Sequence, residues 1–211
     1  ELTLPFVLGP RPLTRVRIVG SGQIGPDIAL HMTKVFAPEG VPVVVVDMAP
    51  KALDAGRAKL AKKIDRGVDD GAFSPEQAAA MKANVTFTED YGSLQDADFV
   101  IEAATENLEV KRPSFPQHEN LRTRGAILRS NASHLEPESI FEELRDATRA
   151  SVVHYFFPAE RNPLVEIVPG EETSPTQPFP TKPPAFDLQG FSKDDLIDFT
   201  PALREQALAA V

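Results

Sequence analysis

Apolar residues along this chain fall into short runs, separated by longer stretches in which they recur every three or four positions. The runs are 15–19, 43–46, 85–88, 99–103, 127–130 and 151–156. Runs this short and this rich in Val, Ile and Phe are expected of strands buried on both faces. Between them lie the helical patterns. One runs from about Gly22 to Phe36 and is ended by Pro38-Glu39-Gly40, with Pro26 tolerated because it falls in the first turn. A second opens at Pro50 and reaches about Arg66, with Leu53, Ala58, Leu60, Ala61 and Ile64 as its apolar positions. Asp70-Gly71 makes a turn. Ser74-Pro75-Glu76-Gln77 is a capping box that starts a helix to about Ala83. A short helical stretch is expected between the strands at 85–88 and 99–103, and another helix near Glu138 to Leu144. Strands alternating with helices imply right-handed βαβ units and an α/β fold with a mostly parallel sheet over residues 15–170.

The pattern changes after Gly170. Pro175, Pro178, Pro180, Pro183 and Pro184 mark an extended linker, and Thr200-Pro201 caps a last short helix. The expected organisation is therefore one α/β domain over 1–172, a proline-rich linker over 173–190 and a short helical segment over 191–211.

Composition narrows the partners. The formal net charge is -9, with both signs interspersed, which argues against a nucleic-acid surface. No apolar run approaches the roughly 20 residues of a membrane-spanning helix, so no membrane partner is expected. The absence of cysteine excludes thiolate chemistry and Cys-based metal sites, no metal is expected, and a reducing cytoplasm is compatible and is the expected location. The chain begins with Glu1 rather than Met and lacks a signal pattern, so a processed or cut piece of something longer is expected.

Gly20-Ser21-Gly22-Gln23-Ile24-Gly25 fits G-x-G-x-x-G directly after a strand and at the opening of a helix, the context that gives this motif its meaning. Gly20 allows the tight turn, Gly22 the approach of a pyrophosphate, and Gly25 close helix–strand packing. The helix N-terminus would face the phosphates with free N–H groups. Asp47, at the end of the four-valine run, would bond the adenosine ribose and repel a 2′-phosphate, which selects NAD over NADP. The fold is then a Rossmann-type doubly wound sheet. The 27 residues from Gly20 to Asp47 exceed the spacing of about 20 expected, and an extra helical turn would absorb the difference.

Two polar groups lie at carboxyl ends of later strands, Ser130-Asn131-Ala132-Ser133 and His154, and this edge of an open α/β sheet is where ligands bind. Glu166 follows twelve residues after His154, and a strand returning beside the first would bring carboxylate and imidazole together. Imidazole accepts and returns a proton near neutrality, and a carboxylate partner favours its protonated form. The remaining histidines, His31, His118 and His134, are expected to have no chemical role.

From about Val16 to Gly170 the chain resembles the NAD-binding domain of the 3-hydroxyacyl-CoA dehydrogenases. The segments that carry the resemblance are GSGQIG, VVVVD, IEAATENLEVKR (101–112), SNAS (130–133), HYFFP (154–158) and NPLVEIV (162–168). The resemblance implies oxidation of a 3-hydroxyacyl-CoA to the 3-oxoacyl-CoA, as in fatty-acid β-oxidation, with NAD as cofactor. It implies that His154 is the general base, that Glu166 orients the imidazole, and that Ser133 bonds the substrate oxygen. Glu106 and Lys111 match positions holding the nicotinamide-side ribose, and Asn131 lies beside the reacting centre. With Gly20, Gly22, Gln23, Ile24, Gly25, Asp47 and Ala103 they make up the expected cofactor site. By residue type alone, Lys111 and Glu106 could instead form a surface helix pair, the less favoured alternative to ligand contact.

The chain also departs from the family. Ala132 replaces a threonine, and Phe157 a small polar residue. Pro113 and Pro116 fall where the family continues a helix, which implies a kink or a late start. Residues 171–211 do not resemble the family's C-terminal helical domain, so association with such a domain, or with a second copy, is expected. Two other readings stand beside the dehydrogenase: a non-catalytic NAD-binding module, and a dehydrogenase of another hydroxy acid.

Overall fold

The computed structural model describes residues 7–8, 11–120, 126–156, 159, 162 and 165–174. Seven strands form one sheet: β1 (Val16–Val19), β2 (Val43–Val46), β3 (Val85–Thr88), β4 (Phe99–Glu102), β5 (Ile127–Asn131), β6 (Ala150–Tyr155) and β7 (Val165–Pro169). Their spatial order is β3-β2-β1-β4-β5-β6-β7, with every neighbouring pair parallel except β6–β7. Val7–Leu8 and Arg11–Pro12 make a separate two-residue antiparallel ladder.

Helices α1 (Gly25–Phe36), α2 (Pro50–Asp69), α3 (Pro75–Asn84), α4 (Leu108–Asn120) and α5 (Pro137–Phe141) supply the connections. Successive strand residues point to opposite faces, so each strand feeds two cores. Val16 and Ile18 of β1 pack in one core with Ile28 and Met32 of α1, while Val19 joins Val100, Leu128, Val152, Phe115 and Phe141 in the other. With both faces covered, β1 and β4 are buried at every position, Arg17 and Glu102 included, which is why apolar residues dominate both strands.

Several local boundaries differ from the pattern-based expectation. The first helix begins at Gly25, because Gly22 to Ile24 form the bend that exposes the turn. The extra length before Asp47 is taken up by a 3-10 turn, Ala37–Glu39, closed by Gly40 at φ 66. The helix after β5 is shorter than expected, ending at Phe141. Helix α4 starts at Leu108 and includes both Pro113 and Pro116 rather than starting late. Its entry is fixed by Asn107, whose side-chain oxygen accepts from the Glu109 N–H at 2.9 Å. Its position is held by buried Lys111 and by Phe115, edge-on to Phe141 at 4.9 Å between ring centroids. These tertiary contacts outweigh the backbone bonds the prolines forfeit. Apart from residues 173 and 174, the expected linker lies outside the described residues, as do the expected C-terminal helix, Phe157, His118's side chain and Pro158. No helix among the described residues is long and apolar enough to cross a membrane.

Candidate functional site

Because β1 to β6 run parallel, their carboxyl ends share one edge of the sheet. The chain order reverses between β1 and β4, the switch point at which such sheets open a crevice. The glycine turn sits there. Gly20 has φ +105, and a Cβ at this position would lie 2.7 Å from the Ala103 carbonyl oxygen. That conformation and that closeness admit only glycine. The turn is tied to both neighbours: the Gly20 N–H donates to the Val46 carbonyl at 2.8 Å, and the Ala103 N–H to the Val19 carbonyl at 2.7 Å. A Cβ at Gly25 would lie 2.0 Å from the Gly20 oxygen, so the helix start is pressed against the turn. At Gly22 a Cβ would meet nothing within 4 Å. Open space in front of Gly22, between two glycines that admit no side chain, fits the approach of a pyrophosphate.

Asp47 follows β2 at the same edge. Its carboxylate accepts from the Ser21 N–H at 2.7 Å and from the Ala49 N–H at 2.9 Å. The two oxygens retain further lone pairs for ribose hydroxyls. Ser21 is held in turn by its hydroxyl, which donates to the Ala52 carbonyl at 2.9 Å, over a glycine of α2, Gly56, whose absent Cβ would lie 2.2 Å from the Ser21 oxygen. Tyr91 lies close enough for the Asp47 charge to help burial push its phenol pKa up, burial being the larger cause. Tyr91 carried no signal in the sequence, and a glycine inside an otherwise good helix was the one clue to Gly56.

At the carboxyl ends of β4 and β5 a buried ionic cluster replaces the solvent-facing pair that residue type alone allowed for Lys111. The Lys111 ammonium lies 2.8 and 3.0 Å from the two oxygens of Glu102 and 2.9 Å from the Asn131 carbonyl, with both side chains at most 1% exposed. Ser130 donates its hydroxyl to Glu102 at 2.6 Å, and the Ala104 N–H donates at 2.7 Å. Every lone pair of this carboxylate that matters is thus occupied, as a charge away from water requires. Glu102 was missed from sequence, although an acid ending the apolar run of β4 was a visible signal. Exposed Glu106 takes a different part: its carboxylate accepts from the N–H groups of Ser133 at 2.7 Å and His134 at 3.2 Å, shaping the loop that presents Ser133. Asn131, nearly buried, accepts from the Tyr155 N–H through its side-chain oxygen at 3.2 Å.

His154 and Glu166 are opposite residues of the antiparallel β6–β7 ladder. The imidazole Nδ1 lies 3.4 Å from Glu166 Oε2, and both side chains are about one-fifth exposed, at 21% and 20%. Phe156 lies against the imidazole at 4.2 Å between ring centroids. Of the remaining histidines, His31 lies in α1, edge-on to Tyr155 at 6.0 Å, and burial, followed by the charge of Lys34, pulls its pKa down to about 4. His134 is exposed beside Ser133.

Comparison with known proteins agrees with this geometry. The family model for the 3-hydroxyacyl-CoA dehydrogenase NAD binding domain matches residues 15–178. A second, for a β-propeller domain of glucose, ethanol and alcohol dehydrogenases, matches residues 157–211; it overlaps the first, and its best described part, β7, belongs to the seven-stranded sheet. Among solved structures, the chain is similar to (S)-3-hydroxybutyryl-CoA dehydrogenase of Ralstonia eutropha, with 31% identity and a TM-score of 0.73 over 78% of this chain and 56% of that one. It is similar to 3-hydroxybutyryl-CoA dehydrogenase of Escherichia coli K12, with 30% identity and a TM-score of 0.70 over 76% and 33%. It also resembles the NAD+ dependent 5-formyl-3-hydroxy-2-methylpyridine 4-carboxylic acid 5-dehydrogenase, with 26% identity and a TM-score of 0.67 over 77% and 51%. The chain therefore spans between a third and little more than half of these relatives' length. The glycine turn at the switch point and the match over residues 15–178 make this chain a member of the 3-hydroxyacyl-CoA dehydrogenase family, carrying its NAD-binding domain.

Proposed function

We propose that the protein oxidises 3-hydroxyacyl-CoA esters to 3-oxoacyl-CoA, with His154 as the proton acceptor. The observation that carries this reading is the His154–Glu166 pair, set at the same sheet edge as the glycine turn. With Nδ1 directed at the carboxylate, the tautomer that donates from Nδ1 leaves Nε2 unprotonated to take the 3-hydroxyl proton. Glu166 then stabilises the imidazolium that forms. The 3.4 Å separation is long for a hydrogen bond and is expected to tighten when substrate is bound. Ser133, exposed on the loop that Glu106 shapes, would donate to the substrate oxygen. Bound NAD supplies the hydride acceptor. On the protein side, the turn from Gly20 to Gly25 would hold the pyrophosphate and Asp47 the adenosine ribose, while Ala103 would form the crevice floor. Lys111 acts through the Asn131 carbonyl and Glu102, setting the end of β5 beside the nicotinamide side.

One relative, by its name, acts on a pyridine carboxylic acid, which favours as a second reading a hydroxy compound without coenzyme A. The two are told apart by NADH oxidation with acetoacetyl-CoA against free acetoacetate. Cofactor binding is scored separately, by fluorescence titration, because the chain spans only part of its relatives. Tighter binding of NADH than NADPH, narrowed by Asp47→Ala, is the expected result. Equal affinity of the unaltered chain for both would overturn the Asp47 assignment.

A further inference from the structure

The proposed cofactor site puts a pyrophosphate at the glycine turn but leaves open how the peptide groups of that turn are aimed. Lys59, one helical turn beyond Gly56 in α2, reaches across to this turn. Its ammonium donates to the Gln23 carbonyl at 2.6 Å and to one oxygen of Asp27 at 2.9 Å. Asp27 sits in the first turn of α1 with its side chain 0% exposed, and its other oxygen takes the ammonium of Lys63 at 2.8 Å. Two lysines, spaced so that they share one face of α2, thus converge on a single buried carboxylate. From there Lys59 continues to the turn.

We propose that Lys59 is a positioning residue for cofactor binding, acting through the Gln23–Ile24 peptide. In a trans peptide the carbonyl and the following N–H point in opposite directions. Holding the Gln23 oxygen toward α2 therefore aims the Ile24 N–H away from α2. Helix α2 packs beside β3, whereas β4 flanks β1 on the other side, so away from α2 is toward the switch-point crevice. A cation on the carbonyl also polarises the peptide and strengthens its N–H as a donor to an anion. Asp27 serves to hold the ammonium at that position. Lys63 balances the second oxygen, so that the buried carboxylate does not set a net negative charge below the helix N-terminus where a pyrophosphate must come. The inference rests on the proposed cofactor site and adds to it the device that sets one of its donors.

The test compares Lys59→Met with Lys63→Met in the full chain, measuring NADH and ADP dissociation constants and, separately, thermal stability without ligand. Both variants deprive Asp27 of one partner and should lower the melting temperature to a similar extent. Lys59→Met alone should weaken NADH and ADP, both of which carry the pyrophosphate, by roughly ten-fold or more. Lys59→Arg, which keeps the charge and a donor, should recover most of the loss. Equal weakening by the two methionine variants would make the lysines merely structural and overturn the proposal, as would unchanged affinity in Lys59→Met. Failure of the unaltered chain to bind NADH at all would instead overturn the cofactor site itself.

Discussion

His154 and Glu166 occupy one rung of the β6–β7 ladder, so their side chains leave the sheet on the same face and the imidazole Nδ1 meets the carboxylate at 3.4 Å. If the pair works as a unit, its losses will not add. His154→Ala should remove nearly all acetoacetyl-CoA-dependent NADH oxidation above background, and Glu166→Gln should cost on the order of 10²-fold. The double variant should be no worse than His154→Ala. Multiplying losses in the double variant, with NADH binding intact throughout, would show that the two act independently.

Two glycines of the turn should fail in different ways. A methyl group at Gly25 would lie 2.0 Å from backbone, so Gly25→Ala should lose both stability and NADH binding. At Gly22 the same methyl group meets open space, so Gly22→Ala should melt within a few degrees of the unaltered protein yet bind NADH poorly, because it fills the place of the ligand. Paired melting curves and titrations give the answer. A Gly22→Ala protein with unimpaired NADH affinity would place the pyrophosphate elsewhere.

Removing one partner of the buried Glu102–Lys111 pair should be costly. Lys111→Met leaves the buried Glu102 carboxylate without its cation, and should cost about 3–5 kcal/mol in urea unfolding. Adding Glu102→Gln to that variant removes the stranded charge and should recover part of the loss. A double variant less stable than Lys111→Met would contradict the pairing.

His31 makes stability depend on pH. Its folded pKa of about 4 lies below the unfolded value of 6.5, so the unfolded chain binds more protons between these limits. The contribution is fully present above about pH 6.5 and is lost as pH falls toward 4. His31→Phe, which keeps the edge contact with Tyr155, should flatten the stability profile between pH 7 and pH 4 by on the order of 2 kcal/mol. An unchanged slope in that variant would show that other groups set the acid limb.

The sheet and the turn were legible in the sequence because their determinants are local. Four valines in a row suit one environment, and a glycine pattern between strand and helix suits one geometry. His154 and Glu166 could be paired on paper only by supposing that a strand returns, and β7 is that strand. The charge pairs were not legible. Lys111 reads as a solvated helix residue until α4 docks against β4 and β5, and Asp27 meets lysines more than thirty positions away. The course of α4 through Pro113 and Pro116 was hidden for the same reason, since buried Lys111 and Phe115 override a local rule.

The place of β7 at the end of the sheet has a consequence in time. Gly20, Asp47 and Ala103, with the strands that carry them, all come from the first half of the chain, whereas Glu166 lies on an antiparallel strand that only β6 holds. A ribosome releasing this chain from its N-terminus would complete the glycine turn and its Asp47 neighbour well before the partner of His154 had emerged. Proteolysis just after β6 would return the molecule to that earlier condition. Occupancy by cofactor and readiness to move a proton are thus written into separate stretches of the gene, and the second is acquired last and lost first.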